Sequence, residues 1–271
     1  MNGRDRLWIA LLGALALVIW LRDRSWLQSP EDAFPLLLAL PLAAWLGRPW
    51  NWRSSAPGFL HLPALVFAAC AWLLGSALNL ALLLALGWTA ALWAWMRPHL
   101  DLADRSRAFR LLVLAVMAFP WISLDAQSVG WWFRLSGAWS AELVFRGLGF
   151  SVSREGTSLL VQGLPMSVEA ACSGLNVLQS LLVAGTGLAY LHFARSPLYS
   201  WNLLALLPAA WLANTLRILV ITAAALTWGP DFAMGLFHSW GGLVVLAGMF
   251  LVCGAVFEAE RRLWDRREET P

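Results

Sequence analysis

Residues 198–225 read LYSWNLLALLPAAWLANTLRILVITAAA, an apolar run interrupted by one charged residue, Arg217. A helix rises 1.5 Å per residue, so about 20 apolar residues cross the roughly 30 Å hydrocarbon core of a bilayer. The run is long enough to do so. Its lone guanidinium must then face a cavity or a partner, because a charge left in lipid costs roughly 3 kcal/mol even on lenient scales. Further apolar segments extend the pattern on both sides, at residues 7–21, 33–46, 59–96, 109–124, 175–193 and 235–257. The stretch 59–96 is too long for one span, and Gly75-Ser76 with Asn79 marks a tight turn that divides it. Pro35 and Pro41 predict a short, irregular helix over 33–46. The expected fold is an all-α polytopic membrane protein of about eight transmembrane helices.

Composition agrees. The chain has 271 residues, 60% of them hydrophobic and only 13% charged, which is about half the soluble norm. One water-soluble core cannot hide that much apolar surface. The segment after Arg6 resembles a secretory leader, but further apolar runs follow at once and no small-residue cleavage site closes it, so it reads as a retained first span. The basic residues are all Arg, and the net charge of +3 would suggest nucleic acid in a soluble protein. Here the Arg residues lie mainly between apolar runs, which reads as membrane topology and not as a nucleic-acid surface. Cys70, Cys172 and Cys253 are widely spaced with no CxxC, and the four His are scattered. That excludes a disulfide framework and a zinc site, and no cofactor is called for.

With the N-terminus in the cytoplasm, thirteen Arg fall in inside segments and five outside. The bias predicts both termini inside. Domain organisation follows: transmembrane helices over 1–124, an extracytoplasmic loop over 125–171, three more transmembrane helices over 172–257 and a cytoplasmic tail over 258–271. Within the long loop, Trp131-Trp132 suit a membrane interface, and residues 140–149 suit a short interfacial helix. Residues 150–168 alternate around the turn-like Arg154-Glu155-Gly156-Thr157, which reads as a β-hairpin.

On this topology three chemically capable residues lie towards the outer face. Cys172, in Glu169-Ala170-Ala171-Cys172-Ser173-Gly174-Leu175, opens the sixth span. Arg217, with Asn214 three residues before it, lies in the outer half of the seventh. His238 begins the eighth and is followed by Gly241-Gly242. Each also has a plain reading: a buried cysteine is usually inert, an interfacial His is merely tolerated, Asn214 bridges helices, and Glu169 is solvated. Together they suit thiol chemistry. A free thiol is mostly protonated near neutrality; an imidazole can take the proton while a guanidinium and a helix N-terminus favour the thiolate. Arg217 would stabilise an oxyanion, His238 would act as base and then acid, Gly174 would let a peptide backbone approach, and Asn214 could orient the guanidinium. Ser173 and Glu169 would support the site. Gly185 and Gly187 would permit close approach of a substrate helix.

Ala171-Cys172-Ser173-Gly174-Leu175, then Asn214-Thr215-Leu216-Arg217-Ile218, then His238 with Gly241-Gly242, resemble the three signature blocks of the exosortase/archaeosortase family. The match covers roughly residues 168–242, and His at position 238 is nearer the bacterial branch. The resemblance implies a membrane-embedded cysteine peptidase or transpeptidase in the cytoplasmic membrane, with Cys172 as nucleophile and Arg217 and His238 completing the triad. Its implied partners are membrane-anchored substrate proteins with a C-terminal sorting signal: a motif such as Pro-Glu-Pro, an apolar helix and a basic tail. A glycan or lipid acceptor is also implied. Two other readings stay open: a non-enzymatic subunit of an export or exopolysaccharide-assembly system, and a transporter with Arg217 in its path. The scarcity of intramembrane carboxylates and the lack of an inverted repeat speak against the last.

Overall fold

The structure is a computed structural model. It describes residues 3–27, 30–53, 60–167 and 174–269, the side chains of residues 167, 234, 236–239 and 267–269 excepted. The chain divides into two compact units, one of residues 1–125 with 186–199, the other of residues 126–185 with 200–271.

The first unit holds α1 (Gly3–Arg22), α2 (Pro30–Leu46), α3 (Leu62–Leu78), α4 (Ala81–His99), α5 (Leu102–Met117) and α6 (Trp121–Asp125), and takes in the latter part of α8 (Leu175–Phe193). The predicted break falls at Asn79, between α3 and α4. Asn79 adopts φ 59°, and the Leu80 N–H reaches back to the Gly75 carbonyl, as in a left-handed C-terminal cap. Asn tolerates this conformation better than most residues. Helices α3 and α4 then pack back to back through small residues. A Cβ on Gly87 would lie 2.3 Å from Trp72 Cδ1, and one on Gly75 would lie 3.0 Å from the Leu84 backbone nitrogen. The Asp125 carboxylate accepts the Leu82 N–H at 2.6 Å and so satisfies a free donor at the start of α4.

Three sequence expectations are revised in this unit. Helix α2 runs unbroken through Pro35 and Pro41, with Pro35 buried. The helix expected from residue 109 begins earlier, with α5 starting at Leu102, because Ala108, Leu111, Leu114 and Ala115 give it a buried face, and Arg110 donates to the Phe193 and Ser196 carbonyls. Gly187 is occupied by the chain itself, since a Cβ there would meet Leu42 Cδ2 at 3.1 Å.

The second unit holds α7 (Gln127–Gly147), the strands β1 (Val152–Glu155), β2 (Ser158–Val161) and β3 (Leu164–Ser167), the first part of α8, most of α9 (Leu198–Trp228), α10 (Pro230–Met234) and α11 (Leu236–Glu269). The segment expected to be a loop with a short helix thus carries a 21-residue helix, α7. Gly130, Gly137, Ala138, Ala141 and Phe145 recur at helical spacing and are buried, a small-residue face that the sequence reading passed over. The expected hairpin is a sheet of three antiparallel strands in the order β1-β2-β3. Gly156 at φ 59° opens the first two-residue turn; Gln162 and Gly163, at φ 51° and 80°, make the second. Leu159 and Val161 pack with Ala138, Ala141, Phe145 and Ile218, while Leu164 and Met166 lie over Ile221, Ala224, Ala225 and Ala233. Glu142 of α7 accepts from both Arg146 and Arg154 and ties β1 to the helix.

The chain is mostly helical. Among the described residues, two stretches are long and apolar enough to cross a bilayer, Leu198–Trp228 and Trp240–Arg266.

Candidate active site

The site is built from the residues that surround Gly174, all within the second unit. Gly174 precedes α8 and has φ 77°, a conformation that a side chain strains. Its backbone sits hard against α9 and α7. A Cβ there would lie 2.7 Å from Asn214 Cγ and 3.0 Å from Phe133 Cδ2. Its carbonyl accepts the Leu178 N–H at 2.8 Å and begins the hydrogen-bond ladder of α8.

Asn214 is fully buried, and neither its amide nitrogen nor its amide oxygen has a hydrogen-bond partner among the described residues. Three residues on, Arg217 is only 4% exposed, and its Nε likewise has no partner. Asn214 and Arg217 share a stretch of helix without a hydrogen bond between them. Buried polar groups nearly always find partners, and each one left alone costs about 1–3 kcal/mol. Two such groups, three residues apart on one helix, have no partner among the described residues.

Gly242 of α11 closes the other side. A Cβ at Gly242 would lie 3.0 Å from Arg217 Nε, 3.1 Å from its Cζ and 3.2 Å from Nη2. The guanidinium therefore rests on the α11 backbone where a side chain is missing. The backbone of His238 is one helical turn before Gly242, at the i−4 register position of the same helix. The site residues Glu169, Cys172 and Ser173 lie outside the described residues. Among the other cysteines, Cys253 is buried and Cys70 is exposed.

Helix α7 is the contributor that sequence reasoning missed. Phe133 touches the Gly174 position, and a Cβ on Gly137 would meet Ile218 Cδ1 at 2.8 Å and Thr215 Oγ1 at 3.7 Å. Ser136 accepts the indole N–H of Trp211 at 2.9 Å and donates to the Trp132 carbonyl at 2.6 Å, which fixes α7 to α9 one turn before Asn214. The small-residue spacing from Gly130 to Ala141 was the signal that could have revealed this. Gly185, expected to admit a substrate helix, instead receives Leu206 of the same chain, whose Cδ2 would lie 2.5 Å from a Cβ there.

No metal-ligand cluster of His, Cys, Asp and Glu occurs among the described residues. No curated protein and no solved structure is similar enough to match the chain. A family model described as Transmembrane exosortase (Exosortase_EpsH) matches residues 26–255, which cover most of both units and every residue of the site. The chain therefore belongs to the transmembrane exosortase family.

Proposed function

We propose that the chain is a membrane-embedded cysteine peptidase or transpeptidase that cleaves C-terminal sorting signals of exported proteins at the outer face of the cytoplasmic membrane. The observation that carries the reading is the buried pair Asn214 and Arg217, whose amide and Nε have no hydrogen-bond partner among the described residues. The pair is held against Gly174, two residues after Cys172, and against Gly242, four residues after His238. Family membership supports the same chemistry. About eight transmembrane helices with both termini in the cytoplasm would bring these residues to the outer side.

In this mechanism His238 takes the Cys172 proton, and the thiolate sulfur attacks the scissile carbonyl carbon. A C–S bond forms, and the carbonyl electron pair moves onto oxygen. Arg217 stabilises that oxyanion through its charge and planar N–H donors. The positive end of α8 favours the thiolate before attack. When the tetrahedral intermediate collapses, the C–N bond breaks and His238 returns the proton to the leaving amine. The leaving group is the substrate's apolar helix with its basic tail. The thioester left on Cys172 is then resolved by water or by an acceptor nucleophile, which takes the acyl carbon as the C–S bond breaks.

The experiment is co-expression with a reporter that ends in a Pro-Glu-Pro segment, an apolar helix and an Arg tail. Wild type is compared with Cys172→Ser by reporter size. Processing that is lost in the variant supports the reading. Processing that persists in Cys172→Ser removes the cysteine from the mechanism. A reporter left intact by both, together with intact signals from the same genome, favours the non-enzymatic subunit.

A further inference from the structure

The geometry points to a second cation, Arg134 of α7, as the residue that recognises an acidic side chain of the processed peptide. This deepens the peptidase reading and rests on it.

The argument starts from helical register. At about 100° per residue, positions 130, 134, 137, 138, 141 and 145 fall within one arc of roughly 100°. Gly130, Gly137, Ala138, Ala141 and Phe145 on that arc are all buried. Arg134 stands near its middle, on the inward face of the helix. Its Nε is sealed from solvent and has no hydrogen-bond partner among the described residues. The described acids of the same unit are committed elsewhere or face outward. Glu142 holds Arg146 and Arg154, Glu258 holds Arg261 and Arg262, Glu260 accepts from Asn202, and Glu155 and Asp231 are exposed. A half-buried guanidinium with no counter-charge is unfavourable, so its anion comes from outside the described chain.

The location names the ligand class. Arg134 lies between two contact points of α7 with the site: Phe133 against the Gly174 position, and Gly137 against Thr215 and Asn214. Asn214 offers a free donor and a free acceptor, the complement of a peptide group. A guanidinium fork matches a carboxylate in a bidentate pair. A peptide group taken by Asn214 and a carboxylate taken by the inward face of α7 describe an extended peptide bearing Asp or Glu. A phospholipid phosphate fits less well: Trp132, an exposed side chain suited to the bilayer interface, lies about 160° away around α7.

The test uses the full chain and two reporters that differ only in their motif, Pro-Glu-Pro or Pro-Gln-Pro. Cys172→Ser is the control for the underlying reading, and retention of processing there sinks that reading whatever Arg134 does. The expected result is that wild type processes the Glu reporter at least tenfold faster than the Gln reporter. Arg134→Gln should slow the Glu reporter about tenfold and leave the Gln reporter within threefold, so that discrimination disappears; Arg134→Lys should restore part of it. A structural or lipid-binding role would slow both reporters alike and overturns the proposal, as does Glu169→Gln reproducing the Arg134→Gln pattern. Binding of the two synthetic motif peptides to purified Cys172→Ala chain in detergent is the second measurement. If wild type shows no preference for Glu in processing and Cys172→Ala shows none in binding, the proposal is wrong.

Discussion

Gly174→Ala isolates the contact on which the site is built. The substitution does two separable things. It places a side chain at φ 77°, which costs about 1–2 kcal/mol for a non-glycine residue. It also sets a methyl carbon 2.7 Å from Asn214 Cγ and 3.0 Å from Phe133 Cδ2. Overpacking of that kind costs about 1–3 kcal/mol when the neighbours must move. The expected total is about 2–5 kcal/mol. Gly149 supplies the control. Its φ is 88°, and nothing lies within 4 Å of its Cβ position, so Gly149→Ala carries the backbone cost alone. Equilibrium unfolding in mixed detergent micelles should therefore show Gly174→Ala less stable than Gly149→Ala by about 1–3 kcal/mol. Asn214→Ala removes the crowding atom, so the double variant Gly174→Ala/Asn214→Ala should recover about 1 kcal/mol or more relative to additivity. Equal stability of the two glycine variants, together with an additive double variant, would refute the packing of α8 on α9 described above.

Other expectations follow the same contacts. Gly242→Ala should lower reporter processing at least tenfold with little change in stability, because its Cβ would displace the Arg217 guanidinium by a few tenths of an ångström and near-attack geometry is sensitive to such shifts; unchanged processing would detach Gly242 from the site. Arg217→Lys keeps the charge but loses the planar fork, and should cost processing about 100-fold or more, measured against wild type at equal membrane expression. Asn79→Ala should destabilise the chain by about 1–2 kcal/mol while Asn79→Gly stays within about 0.5 kcal/mol, since glycine keeps the left-handed cap. Glu142→Ala should release β1 from α7, read as faster limited proteolysis in the segment 150–167 with the helices still protected. A membrane-impermeant thiol probe should modify Cys172 faster than buried Cys253, and Arg217→Ala should slow that labelling by weakening the thiolate.

Much of this protein is written in local chemistry. The apolar length of 198–225 sufficed for a membrane-class helix, because crossing a bilayer depends on residue count and hydropathy alone. The Asn79 turn was legible because few residues accept a positive φ. The strand alternation over 150–168 was legible because a half-buried strand repeats every two residues, although only pairing with β3 turned one hairpin into a sheet. The charge cost of Arg217 marked it as a residue with a task before any neighbour was known. Helix α7 was not legible as part of the site. Its inward face is Gly and Ala, and small residues carry little hydropathy signal; their meaning appears only when Asn214, Thr215 and Ile218 are found against them. The same holds for Gly185, where a packing partner within the chain, Leu206, replaced an imagined external one. Composition and periodicity act along the chain, so the sequence by itself determined that the long apolar runs are helical and which side chains are expensive to bury. Which of those side chains lack a partner is a property of three-dimensional packing. Only the tertiary structure could leave the Asn214 amide and the Nε of Arg217 and Arg134 without one among the described residues.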